Sequence, residues 1–202
     1  MTTGLSEDQR RLVREKIREK YQQVAASPAG RFKYPTGMAG IKALGYAEGL
    51  WRDFPEALLE SFCGVGNPFS LGDLRPGDKV VDVGCGAGFD ALVATRLVGP
   101  GGEVVGIDLT PEMVARAQTH QAALGFTQVR FLEGEAEALP VPDAWADAVI
   151  SNGVFNLSLD KAKALREACR VLKPGGRLLM ADMTLVQPLP EDQAARVENW
   201  YQ

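Results

Sequence analysis

Histidine occurs once in the 202 residues and cysteine three times, and no apolar run approaches the length of a membrane span. Each shortage excludes something. Crossing a bilayer takes about 20 consecutive apolar residues, and the N-terminus also lacks the apolar region of a secretory leader. His120 and the cysteines at 63, 85 and 169 form no zinc-ligand spacing, so no metal site is expected. An odd number of thiols at unrelated spacings fits free cysteines in a reducing cytoplasm rather than a disulfide framework. Positive charge is also short: 22 Lys and Arg stand against 26 Asp and Glu, a net charge of -4. That balance speaks against nucleic acid as the main partner, because phosphate binding relies on clustered Lys and Arg. The basic residues that do gather, in "RRLVREKIREK" (10–20), are interleaved with Glu15 and Glu19 and read as a solvated helix face. His120, read on the polar face of its helix, is expected at the surface.

What is present is organised in two parts. Ser6 and Gln9 form a capping box opening a helix in which Val13, Ile17, Tyr21 and Val24 recur at helical spacing. "ASPAGRFKYPTG" (26–37) ends it as a loop, and shorter helical pieces follow, among them "PEALLESF" with Pro55 in its first turn. From about residue 73 the character changes. Near-continuous apolar runs at "KVVDV", "GEVVGIDL", "QVRFLEG", "DAVISN" and "GRLLMADM" alternate with amphipathic stretches such as "TPEMVARAQTHQAALG" and "SLDKAKALREACRVL". Strand–helix alternation with doubly buried strands predicts an α/β fold, a doubly wound, mostly parallel sheet. Residues 1–72 are expected to form a helical cap and 73–202 the sheet domain. There is no internal repeat.

The most specific stretch is "KVVDVGCGAGFD" (79–90), where Gly84, Gly86 and Gly88 follow a strand and precede a helix. In an open parallel sheet, ligands sit at the carboxyl ends of the strands, so this is a ligand loop. Gly86, Gly88 and Ala91 satisfy G-x-G-x-x-[G/A], and Asp108 stands about 20 residues on, where a dinucleotide enzyme carries its ribose-binding acid. Asp82 decides between ligands. A carboxylate at the lip of the strand repels a pyrophosphate seated on the helix N-terminus. S-adenosylmethionine carries an ammonium and a sulfonium and no phosphate, so the same carboxylate favours it.

The arrangement Asp82, Gly84, Gly86, Gly88 resembles the D/E-x-G-x-G-x-G signature of class I S-adenosylmethionine-dependent methyltransferases, which have a Rossmann-like fold. The resemblance runs from about residue 75 to 185, through "GIDLTPEMVARAQ", "EGEAEALPVPDAWADAVISN" and "VLKPGGRLLMADM". It implies that Asp108 accepts from the ribose hydroxyls, with Leu109 beside it, and that Glu135 and Ala136 meet the adenine. Glu137 is the neighbouring acid, and either glutamate could be a solvated charge. Met113 covers one adenine face or packs in the core. Asn152 and Gly153 line the cofactor's methionine half, with Cys85 an incidental small residue within the glycine loop. Cys169, on a helix stripe with Leu165 and Leu172, is expected in the core.

Two further stretches resemble the arsenite methyltransferases. "FCGVGNPF" (62–69) is similar to a segment before their first strand that carries a cysteine, here Cys63, and "SNGVFNLS" (151–158) to their S-N-C-V-x-N-L-S stretch. The resemblance implies a small-molecule methyl acceptor and a catalytic role for Cys63. A small buried or loop cysteine is the other reading. Gly153 stands where that family has a second cysteine, and a third, expected soon after the fifth strand, is not found. An apolar, quinone-like acceptor, or cofactor binding without methyl transfer, therefore remain as alternatives. The family's usual last two strands are also not recognisable in "ADMTLVQPLPEDQAARVENWYQ", which reads as a loop and a short helix. The expectation is a truncated chain or a reduced fold whose last strand lies at an unpaired edge.

Overall fold

The computed structural model describes residues 6–184. The sequence reading of most of the C-terminal stretch, 185–202, lies outside them.

The first helix, α1 (Glu7–Ala26), starts at the expected capping box. The Ser6 hydroxyl accepts from the Gln9 amide, and the Gln9 side chain accepts from the Ser6 amide. Val13, Ile17 and Val24 are its buried stripe. Two short helices, α2 (Gly37–Ala43) and α3 (Glu56–Glu60), then lead to the sheet.

The sheet contains β1 (Lys79–Val83), β2 (Glu103–Asp108), β3 (Val129–Glu133), β4 (Ala146–Asn152) and β5 (Leu172–Ala181), with α4 (Phe89–Val98), α5 (Pro111–Leu124) and α6 (Lys161–Val171) between them. Their order is β3-β2-β1-β4-β5, and every pairing is parallel. The first four strands fall where the apolar runs predict them. β5 begins earlier than expected, because α6 passes directly into it. Pro174, Gly175 and Gly176 are taken up by a register shift against β4 between Ala146 and Ala148. β5 lies at the end of the strand order among the described residues, and Met180 on it is exposed.

Alternation along the strands divides the core in two. Val80, Val104, Ala148 and Ile150 face α4 and α5, while Val81, Val83, Val105, Ile107 and Val149 face α6. The first face extends into the segment before β1. There Tyr46 and Phe62 meet Phe89, the first residue of α4, edge-on at centroid distances of 5.3 and 5.0 Å. Such aromatic pairs contribute about 0.5–1.5 kcal/mol each beyond the area they bury. They hold the 46–69 segment over the carboxyl ends of β1 and β4, where strand order reverses and ligand crevices form.

Candidate functional site

At that reversal point lies a cavity of about 50 Å³ lined by Phe62, Cys63, Asp82, Gly86, Asp90 and Asn152, with Gly84 and Cys85 completing its wall. The three glycines of the loop do different things. A Cβ at Gly84 would run into Val154, and one at Gly88 would come within 3.0 Å of Ala117 and Phe131, so these two allow close packing. Only at Gly86 is the space within 4 Å open. Its backbone is the bare surface that a ligand can approach.

The cavity is acidic. Asp82 is buried, and its Oδ2 has no hydrogen-bond partner. Burial, and then the charges of Asp90 and Asp108, hold its carboxyl well above the usual range. Asp90 accepts from the Tyr46 hydroxyl at 2.7 Å and from Asn152 Nδ2 at 2.9 Å. Burial lifts it to about 6 although both hydrogen bonds oppose the shift. Asp108, at the end of β2, accepts from the amides of Gly86 and Thr110, both at 2.9 Å, and burial raises its carboxyl too. No Lys or Arg among the described residues lines the cavity. A buried carboxyl with one oxygen unpartnered, set among other carboxyls, is a costly arrangement that a cation relieves and an anion worsens.

Asn152 is saturated. Its Oδ1 accepts from the amides of Val65 and Gly66 at 2.8 and 3.0 Å, and its Nδ2 donates to Gly66 O, the Tyr46 hydroxyl and Asp90. It staples the 64–66 loop to β4 and α4, so what faces the cavity is an amide already fully engaged. Asp90 and Tyr46 were not singled out in the sequence. A carboxylate beside the apolar run "ALVA" (91–94) is the available signal for Asp90. Nothing local marks Tyr46, 44 residues away from its partner.

The remaining expected cofactor residues lie under α1. Met113 is buried against Val24 and Ala25, and Leu109 packs with Val13 and Ile17. Glu135 pairs with Arg14 at 3.5 Å, while its neighbour Ala136 is partly buried against the core on the α6 face of the sheet. Cys63 belongs to the cluster around Met113, with Tyr34 donating to its carbonyl at 3.1 Å. Burial, followed by the charges of Asp108 and Asp90, pushes its thiol up to about 12 against the opposing pull of Lys20. Gly153 does not turn toward Cys63: a Cβ there would meet Val65 at 3.4 Å.

Three expectations are corrected. His120 is buried rather than on the surface, with Nδ1 2.9 Å from the Ala87 carbonyl. It shares the inner face of α5 with Met113 and Ala117, and its ring ties that helix to the glycine loop. Burial lowers its pKa, which keeps it neutral near pH 7. Cys169 is exposed instead of in the core. The buried stripe of α6 is Ala164, Ala168 and Val171, and position 169 lies about 100° around the helix from it. Glu137 is no solvated charge either: it is buried and accepts from the Ser158 hydroxyl and the Leu159 amide at 2.8 and 3.0 Å.

Together, the strand order, the glycine loop and an acidic, cation-accepting cavity define a class I, Rossmann-like cofactor domain. Residues 74–202 match the family model described as a methyltransferase domain. The chain belongs to that S-adenosylmethionine-dependent methyltransferase family, and it is similar to arsenite methyltransferases within it. It is 35% identical over 193 residues to an arsenite methyltransferase of Halobacterium salinarum, covering 89% of this chain and 49% of that protein. It is also 41% identical over 130 residues to the ubiquinone/menaquinone biosynthesis C-methyltransferase UbiE of Pasteurella multocida, covering 63% of this chain and 47% of that one. Among solved structures, the arsenic(III) S-adenosylmethionine methyltransferase CrArsM of Chlamydomonas reinhardtii is similar with a TM-score of 0.65 and 38% identity, covering 79% of this chain and 53% of that one. The chain thus spans about half the length of these relatives. No helix of the described residues is long and apolar enough to cross a membrane.

Proposed function

We propose that this chain transfers a methyl group from S-adenosylmethionine to a small molecule. The observation that carries this reading is the buried, unpartnered Oδ2 of Asp82 in a cavity lined by carboxylates and no basic side chain. A ligand with an ammonium and a sulfonium satisfies that oxygen, whereas a pyrophosphate does not. Asp82 takes the cationic end, the open backbone at Gly86 takes the ligand's close approach, and the remaining lone pairs of Asp108 accept from hydroxyls. Leu109, Met113, Glu135 and Ala136 stand around the position for the adenine. When bound, the cofactor supplies a methyl group already activated by its positive sulfur.

What the protein adds is position and dryness. Phe62 and Phe89 line the cavity with Tyr46 packed against both, and the Asn152 staple fixes the 64–66 loop beside it. Asp90 holds or yields a proton at a carboxyl that titrates near 6. Cys63 faces the cavity as the candidate catalytic thiol, and at neutral pH it is protonated. Residues 1–72 act as the cap and 73–202 as the cofactor domain. Free thiols and the acidic balance favour a cytoplasmic enzyme without a nucleic-acid partner.

Calorimetric titration of S-adenosylmethionine and, in parallel, NAD into the purified chain tests the reading. Micromolar binding of the first alone is expected. Binding of NAD, or of neither, would overturn it.

A further inference from the structure

A second recess, of about 200 Å³, adjoins the acidic cavity, and Gly64 lines both. Its walls come from three places: Tyr34 and Pro35 before α2, Ala43 and Leu44 at the end of α2, and Val65 and Met183 beside the sheet. No charged side chain among the described residues lines it. The Tyr34 hydroxyl, its one polar side-chain group, already donates to the Cys63 carbonyl. The two cavities therefore differ in kind while meeting at one glycine. That glycine has no room to grow: a Cβ at position 64 would collide with the Asn152 side chain and lie 2.8 Å from the Phe62 ring.

We propose that this recess binds the methyl acceptor as an uncharged, apolar molecule about the size of an aromatic ring. The proposal rests on the methyltransferase reading above and adds the substrate class. Size supports it, since an apolar cavity of about 150 Å³ suffices for benzene. Lining supports it as well. Water in such a recess finds few partners, so an apolar ligand gains by displacing it, while a charged one would lose its hydration without replacement. The Met183 thioether adds a polarizable contact suited to a ring. A thiol-held metalloid is disfavoured by the same geometry. None of the three cysteines lines the recess, and Gly153 faces Val65 rather than a sulfur.

Indole, followed by saturation-transfer NMR and calorimetry on the full chain, is the probe. The wild type is expected to bind it saturably. Ala43→Trp, which fills the recess from an exposed helix position, should weaken binding at least tenfold. Ala39→Trp, on the same helix but outside the lining, should change it less than twofold. S-adenosylmethionine is titrated into the same three proteins, and its affinity should be alike in all of them. Unchanged indole binding by Ala43→Trp, or no saturable binding by the wild type, would overturn the recess proposal while cofactor binding persists. Displacement of bound indole by sodium arsenite would overturn it too. Loss of cofactor binding in the wild type would instead strike the underlying reading.

Discussion

The carboxyl ends of β1 and β4 and the surface beneath α1, which the proposed function assigns to one site, are built in opposite ways. At β1 and β4, polar groups are buried and almost all are satisfied: Asn152 alone engages Val65, Gly66, Tyr46 and Asp90. The exception is Asp82. Under α1 an apolar stripe does the packing, and polar contacts such as Arg14–Glu135 and Arg18–Glu133 are half-exposed ion pairs at 3.5 and 3.7 Å. Buried networks hold one geometry because breaking any member strands the others. Exposed pairs of this kind contribute only about 0–1 kcal/mol each. Rigidity is thus concentrated where charge must be placed accurately, and looseness where a helix covers a flat apolar surface.

That contrast can be broken most sharply at Asn152. Asn152→Ala removes one of the two hydrogen-bond partners of the buried Asp90 and leaves the amides of Val65 and Gly66 without theirs, and a loss of about 3 kcal/mol of stability in denaturant melts is expected. Asp82→Asn separates ligand binding from folding. Asparagine keeps an oxygen for the Ala91 amide while removing the buried acid, so the melting temperature should not fall, yet affinity for S-adenosylmethionine should fall about 100-fold, about 2.7 kcal/mol, by calorimetry.

A change of pH probes the same region more gently. Because Asp90 titrates near 6 in the cavity, lowering the pH from 7 to 5 protonates it and should weaken cofactor binding about tenfold. Stability should respond with the opposite sign. The folded state holds that proton more tightly than the unfolded chain, so this contribution is present below about pH 4 and is lost as pH rises toward 6. Melts of the ligand-free protein across that range check it. The smallest effect belongs to α1: Arg14→Ala with Arg18→Ala should cost less than about 1 kcal/mol, and 1 M salt should abolish the difference from wild type.

Much of this was legible in the chain because the signals were local. Four strands, α1 with its capping box, and the ligand loop followed from runs, spacing and one decisive aspartate. Polarity is a poor guide to exposure at two positions. His120 lies at helical spacing from Met113 and Ala117, yet its polar ring suggested the surface; inside, it finds the Ala87 carbonyl. Glu137 misled in the same way, since its partners sit in the loop before α6. Cys169 was misplaced by one position on its helix. The Tyr46–Asp90–Asn152 network joins three separate segments and left no pattern to read. The recess beside Gly64 is likewise assembled from distant pieces.

The Asn152 staple also bears on the route by which molecules reach the interior. With three hydrogen bonds from Asn152 to Val65 and Gly66, and others tying it to Tyr46 and Asp90, that side behaves as a fixed wall. Traffic of a large ligand is then directed to the opposite side, where α1 can lift by parting its apolar stripe and a few screened ion pairs. Entry and departure of the cofactor should therefore quicken with ionic strength even where its affinity hardly changes. The order of events would follow from the architecture: the cofactor passes under α1, and the acceptor arrives separately through the recess lined by Ala43 and Leu44.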